Sequence, residues 1–274
     1  MLIQSPLSSL DRPADLWLAL LLTSAVAGSA WRARSLTGGG AVAAVVVGTV
    51  ALCASWGLGA YLVAWFALAS LLSRVGRARK VERVQGIVEK GDRRDALQVV
   101  ANGAVFAIAA AGVAVLPAGR PMLSIIAAAA LAAAGADTWA TEIGTLLGGR
   151  PWSLRVGRTV PAGTSGAVSL AGCLASIAGA ATLALSAAAL HIIPESAVAA
   201  VAAGGIVGAL ADTAIGAWWQ ARRWCPRCKL ETEQGMHHCG TPTVRHGGIA
   251  RLDNDAVNLF CTVVGAATAI GLAR

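Results

Sequence analysis

The sequence predicts an all-α fold: a polytopic transmembrane helical bundle of about eight spans, with a Cys- and His-containing cytoplasmic loop. Three observations predict it. Of 274 residues, 56% are hydrophobic and only 13% are charged, about half the charged share of a soluble domain. The mean hydropathy is +0.66. Alanine is abundant and glycine numbers 32, the small residues that let helices approach closely in lipid.

Eight apolar segments can be drawn, at roughly 15–30, 39–55, 57–73, 97–115, 122–148, 162–190, 197–219 and 254–272. No basic segment precedes the first, and Arg32 and Arg34 follow it. That is the wrong polarity for a cleaved signal peptide, so the first span is expected to be retained. As one helix, 39–73 would run ~52 Å, too long to cross a core about 30 Å thick once. Gly57 and Gly59 offer a break, which makes a hairpin of spans two and three. Some of the eight segments are near the lower limit of ~17 residues for a crossing. Trp17, Trp31, Trp56, Trp152 and Trp224 fall near proposed span ends, where interfacial anchors sit. The chain 1–274 reads as one integral membrane domain, with 220–253 as its long cytoplasmic loop.

Orientation follows from the basic residues. Nineteen of the 22 Lys and Arg side chains lie in loops after spans one, three, five and seven; Arg12, Arg120 and Arg274 lie on the opposite side. Both termini are then outside and the basic loops cytoplasmic, which suits a plasma (inner) membrane. The same asymmetry accounts for the net charge of +8. No nucleic-acid partner is expected, because no basic patch is interleaved with aromatic residues.

Within this topology the unusual residues gather on one side. Asp137 and Glu142 stand in span five and Asp212 in span seven. An ionised carboxylate in hydrocarbon costs at least ~2.5 kcal/mol, so each must face protein, water or a cation. The cytoplasmic half of span four adds Gln98 and Asn102, span five adds Thr138 and Thr141, span seven Thr213, and span eight Asn254, Asp255 and Asn258. Asp137 and Thr141 share a helix face, as do Thr138 and Glu142, and Asp255 and Asn258. Hard oxygen ligands from several helices suit Mg²⁺, which takes one or two carboxylates and leaves its other positions to water and phosphate. Asp137, Glu142 and Asp212 are the expected ligands. Gly163-Thr164-Ser165-Gly166 is expected to open span six, where a Thr or Ser cap and free N–H groups attract an anion. Lys90-Gly91-Asp92-Arg93-Arg94 reads either as a solvated, lipid-skimming loop or as a nucleotide-phosphate clamp through Lys90 and Arg93.

Cys53, Cys173 and Cys261 lie in apolar spans as small packing residues. Cys225, Cys228 and Cys239 are different. They share the 220–253 loop with His237, His238 and His246, and C-x₂-C followed by a third Cys and nearby His is zinc-ligand spacing. The expectation is a structural Zn²⁺ knuckle on Cys225, Cys228, Cys239 and one of these histidines, with His238 taken here; the alternative is a loop of free or redox-active thiols.

Several ordered blocks carry a resemblance. Ala136-Asp137-Thr138-Trp139-Ala140-Thr141-Glu142-Ile143-Gly144 resembles the signature of a family of integral membrane proteins long catalogued as of unknown function. Gly163-Thr164-Ser165-Gly166-Ala167-Val168-Ser169, Ala211-Asp212-Thr213-Ala214-Ile215-Gly216-Ala217 and Asn254-Asp255-Ala256-Val257-Asn258 look like its later blocks. Lys90 to Arg93 and Gln98 to Gly103 look like an earlier one, with Gly91-Asp92 where Gly-Gly is expected. The resemblance spans roughly 32–272. That family includes the plant chloroplast phytyl-phosphate kinase, which makes phytyl diphosphate. The resemblance implies an isoprenyl-phosphate kinase: transfer of a phosphoryl group from a nucleoside triphosphate, with CTP a candidate, to a membrane isoprenyl monophosphate.

On this reading Asp137, Glu142 and Asp212 hold Mg²⁺ on the donor phosphates. Asp255, Asn254 and Asn258 hold a second ion or orient the acceptor. Lys90, Arg93 and the 163–166 segment neutralise charge, while Gln98, Asn102, Thr138 and Thr141 line the nucleotide and substrate pocket. The alternatives are a transporter or lipid flippase, which should carry polar groups through the outer half as well, and a CDP-lipid-forming cytidylyltransferase, which would release pyrophosphate.

Overall fold

A computed structural model describes residues 12–89, 91 and 93–274. Its helices are α1 (Leu16–Arg32), α2 (Gly38–Ala54), α3 (Trp56–Arg74), α4 (Arg77–Val84), α5 (Ala96–Val115), α6 (Arg120–Leu147), α7 (Leu170–Ala189), α8 (Val198–Trp218) and α9 (Asn254–Leu272). All but α4 are apolar, and they follow the eight expected segments. Six are long and apolar enough to cross a membrane; α1 and α2 are shorter. Six open on a side-chain cap: Asp15, Thr37, Ser55, Asp95, Ser169 and Asp253. Each satisfies an N–H that the first turn leaves without a partner.

Two boundaries differ from expectation. The turn between α2 and α3 is made by Ser55 rather than by Gly57 or Gly59. Ser55 is extended, its hydroxyl accepts from Leu58 N at 3.1 Å, and its own N–H donates to Ala51 O at 3.0 Å. Gly59 instead makes room for the hairpin partner: a methyl there would lie 2.2 Å from Leu52 Cδ2. The second difference is span six, which begins at Leu170 and not at 162. Gly163 and Gly166 hold φ of +87° and +69°, left-handed backbone that ends regular helix. They belong to a loop carrying three short strands, β1 (Trp152–Ser153), β2 (Arg158–Thr159) and β3 (Ala167–Val168), in the order β2-β1-β3. A second antiparallel sheet, β4 (Arg222–Cys225), β5 (Leu230–Thr232) and β6 (Val244–Gly247), lies in the order β5-β4-β6. Trp152 and Trp224 therefore sit on strands rather than at helix ends, and Trp224 packs on His246 with ring centroids 5.2 Å apart.

The core is built on α6, which packs against α5, α7, α8 and α9. Residues 127–136, nine apolar side chains and Gly135, are all buried. Glycines bring the neighbours to backbone contact. A methyl on Gly208 would meet Ala133 Cβ at 2.6 Å and Cys261 O at 2.7 Å; one on Gly204 would meet Gly265 O at 2.5 Å. Gly135 likewise receives Leu183, whose Cδ1 would be 2.3 Å from a methyl there. From Asp137 onward α6 is only partly buried: the solid plug ends where the polar residues begin.

This packing makes a stability prediction. Gly208→Ala forces α6, α8 and α9 apart and should cost about 1–3 kcal/mol, as overpacking does. Gly271→Ala, where nothing lies within 4 Å, should be neutral or slightly stabilising. Thermal unfolding of the two variants in detergent checks the contrast.

Candidate functional site

At the basic end of the bundle, beyond the alanine plug, a cavity of 600 Å³ is walled by α3 to α9, the 161–169 loop and the β4–β6 sheet. Gln98 and Asn102 of α5, Asp137, Thr138, Thr141 and Glu142 of α6, and Asp212 and Thr213 of α8 line it. So do Asn254, Asp255 and Asn258 at the start of α9 and the loop residues Gly163 to Gly166. Four helices and a loop, far apart in sequence, thus bring these residues to one space.

Inside that space the three carboxylates expected to act together are divided. Glu142 forms an ion pair with Lys80 Nζ at 2.5 Å and accepts a short hydrogen bond from Ser73 Oγ. Lys80 also donates to Leu72 O (2.7 Å) and Ser73 O (3.0 Å) at the C-terminus of α3. Arg83, one turn on, donates to Thr145 O, Leu146 O and Gly149 O at the C-terminus of α6. The basic helix α4 therefore lies across two negative helix ends, and Glu142 is drawn into that lattice. Asp137 and Asp212 lie within range of one another's charge. Asp212 Oδ2 is buried with no hydrogen-bond partner, the kind of atom that a cation or polar ligand satisfies. Partly buried carboxylates flanked by hydroxyls are a hard-oxygen set that fits Mg²⁺, with Asp137 and Asp212 as the pair available to hold it.

The expected phosphate clamp is also redistributed. Arg93 turns away and donates to Leu36 O at 3.1 Å. The adjacent Arg94 lines the cavity, lies 5.7 Å over the Phe66 ring and contacts Ser70 Oγ. The reason is local: Arg94 pairs in parallel with Leu36, so neighbouring side chains on this extended segment point to opposite faces. Lys90 lies outside the described residues. Gln98 spends its side chain on a capping box with Asp95, and Asn102 donates to Gln98 O at 2.9 Å. Thr138 and Thr213 donate to Ala134 O and Ala209 O of their own helices. Gly163 to Gly166 form no helix start. Thr164 Oγ1 donates to Pro161 O, and Ser165 Oγ donates to Glu233 Oε1 at 2.7 Å.

Glu233 was not legible as a site residue. It lines the cavity and also accepts from Gln220 Nε2 at 2.7 Å. Burial pushes its carboxyl above the ordinary 4.5, against the Ser165 and Gln220 bonds that favour the ionised form. Lys80, Arg77, Arg94, Arg222, Arg223 and Arg245 also line the cavity. The density of charge in the loops was their sole signal in the sequence, and it could not rank them.

The β4–β6 sheet carries the metal-ligand set. Cys225, Cys228, His237 and Cys239 bring one ligand atom each within 4.8 Å of one another; among the described residues no other set of three or more Cys, His, Asp or Glu does so. Cys225 Sγ to Cys239 Sγ is 3.6 Å and His237 Nδ1 to Cys239 Sγ is 3.2 Å. Zn–S bonds of about 2.3 Å in a tetrahedron place sulfurs about 3.8 Å apart, so the set fits Zn²⁺. His237 replaces the expected His238, because its buried ring points Nδ1 inward while His238 stacks outside it at 4.1 Å. Hydrogen bonds with Thr241 and then His237 pull the Cys239 thiol down to about 5, while its bonded neighbour Cys228 is pushed up to about 11, first by Cys239 and then by burial. The sheet grips the strap after α4: Thr232 Oγ1 and Glu233 N both donate to Ile87 O, and Gln234 Nε2 donates to Val88 O. Arg155 clamps Glu231 at 2.7 Å, tying the two sheets together.

Two outcomes follow. Purified protein should carry about one zinc per chain by elemental analysis, and Cys228→Ser should lose it and speed hydrogen exchange at the Glu233 amide. Folding favours protonated Glu233, so its contribution is present below pH 4.5 and lost as pH rises through the raised folded value. Glu233→Gln keeps the acceptor oxygen and should flatten that fall in a pH series of thermal unfolding.

The chain has clear relatives. The family described as Integral membrane protein DUF92 matches residues 21–266. Protein PGR of Arabidopsis thaliana is 29% identical over 270 residues, covering 88% of this chain and 90% of its own. An uncharacterized membrane protein of Methanocaldococcus jannaschii is 28% identical over 257 residues, covering 91% of each. No solved structure matches significantly. With nearly its whole length matched, the chain belongs to the DUF92 family of integral membrane proteins.

Proposed function

We propose that this protein is a phosphotransferase that moves a phosphoryl group from a nucleoside triphosphate to an isoprenyl monophosphate in the membrane, forming the diphosphate. The observation that carries the reading is the cavity's one-sidedness. Partly buried carboxylates on α6 and α8 face a polar chamber at the basic end, and the alanine plug of α6 closes the space behind them. The excess of basic residues orients that end to the cytosol, where nucleotides are.

Phosphoryl transfer needs mainly alignment and neutralisation of charge. Mg²⁺ held by Asp137 and Asp212 would supply that neutralisation on the donor phosphates. Arg94, braced over Phe66, and Arg222 and Arg245 of the Cys/His-bearing sheet would receive phosphate oxygens in their guanidinium forks. Asn254 and Asn258 would orient the acceptor headgroup from α9. Lys80 and Glu142 would hold the floor: their mutual ion pair fixes α4 and leaves neither as a general base. None is required, because the acceptor phosphate is largely ionised near neutral pH.

Asp137→Asn and Asp212→Asn should leave folded protein and lower turnover by about two orders of magnitude or more. The assay is transfer of labelled phosphate from CTP or ATP to a panel of isoprenyl monophosphates in detergent with Mg²⁺. Release of nucleoside diphosphate is expected; release of pyrophosphate would identify a cytidylyltransferase instead. Full activity in both variants would overturn the assignment.

A further inference from the structure

The wall of the cavity between α7 and α8 includes residues that also reach the outer surface. In mid-bundle the two helices touch: a methyl on Gly205 would come within 2.9 Å of Ala180 Cβ. They are joined again at the basic end by the loop before α7, where a methyl on Gly166 would lie 2.2 Å from Ala217 Cα. Between these points both helices line the cavity, through Cys173 and Ser176 on one side and Leu210 and Thr213 on the other. Two of these four have a second face. Cys173 is exposed, and Leu210 is 59% exposed, on surfaces shared with exposed Leu174, Ile177 and Val207. A residue that lines the cavity and also faces the apolar exterior marks an opening from one to the other. From Gly205 to Gly216 this opening is roughly 17 Å long at 1.5 Å per residue. Behind it, on α8, stands Asp212 with its buried, partnerless oxygen.

We infer that a lipid with a single long apolar chain enters the cavity sideways through this window, the chain lying between α7 and α8 and the anionic headgroup reaching the Asp212 side. The inference takes the headgroup's identity, a phosphate monoester, from the phosphoryl-transfer reading. The chain's place rests on the window alone. The rim is apolar where it meets the bilayer and polar one turn further in, the gradient that an amphiphile matches and a free nucleotide does not. Helix axes in contact lie about 8–10 Å apart. A gap pinned at both ends by such contacts admits one hydrocarbon chain rather than two.

Cys173 reports on the window. The full chain in phosphatidylcholine vesicles is treated with a lipid-soluble maleimide, and alkylation of the Cys173 peptide is followed by mass spectrometry. Hexadecyl phosphate at ten times its half-protecting concentration should slow that alkylation about tenfold by mass action. Ethyl phosphate, inorganic phosphate and a diacyl phosphatidic acid should not. No protection by hexadecyl phosphate, or equal protection by any of the other three, overturns the inference. Leu210→Trp, on an exposed position, supplies the second measurement: the bulky ring should abolish protection of Cys173 and lower transfer to a membrane-embedded acceptor while nucleotide binding is kept. Protection without any phosphoryl transfer would sink the kinase reading and leave the window standing. Transfer undiminished by Leu210→Trp would do the reverse.

Discussion

Everything in this fold depends on how closely α6, α8 and α9 approach one another. Apolar side chains gain nothing by leaving lipid for one another, so helix association in a bilayer needs fine packing. Here Gly204, Gly208 and Gly265 remove side chains where the backbones cross, and Ala133 fits the space they leave. Because the contact is made in the middle of the bundle, the polar ends of the three helices are carried to the same side. Asp137, Asp212 and Asp255 line one chamber because the glycines fix the helices' rotation and register.

A chamber lined with carboxylates needs compensating charge, and the loops supply it in layers. The innermost layer is α4, whose Lys80 neutralises Glu142 and, with Arg83, covers the carbonyl ends of α3 and α6. The next is Arg94, set facing inward by its pairing with Leu36. The outermost is the Cys/His-bearing sheet, which reaches back over the cavity through Glu233 and grips the strap at Ile87 and Val88. Such a small sheet has little apolar core of its own. A metal at Cys225, Cys228, His237 and Cys239 would give it rigidity, and the strap and cavity rim share that rigidity through hydrogen bonds.

The two halves of the bundle contrast in kind. One is alanine-filled and glycine-pinned. The other is polar, divided among many partners and open at its rim. The boundary falls within α6, between Ala136 and Asp137, without any break in the helix. One rigid element thus carries both the anchor of the fold and the first carboxylate of the site, so the site is set on the stiffest part of the molecule rather than on a loop.

The amino-acid sequence by itself determined the helical class, the eight apolar segments, the one-sided gathering of Asp137, Asp212, Asp255 and Asn258, and the Cys225–Cys228–Cys239 metal set. These follow from local composition, helical spacing and charge asymmetry, which act along the chain. Only the tertiary structure decided the rest. It chose His237 over His238, Arg94 over Arg93 and Ser55 over the glycines, gave Glu142 to Lys80, and drew Glu233 into the cavity. Each of these choices separates near-equivalent neighbours, or joins residues tens of positions apart. The deciding quantity is the direction in which a side chain points once strands pair and helices pack, and that direction is not written in residue type or spacing.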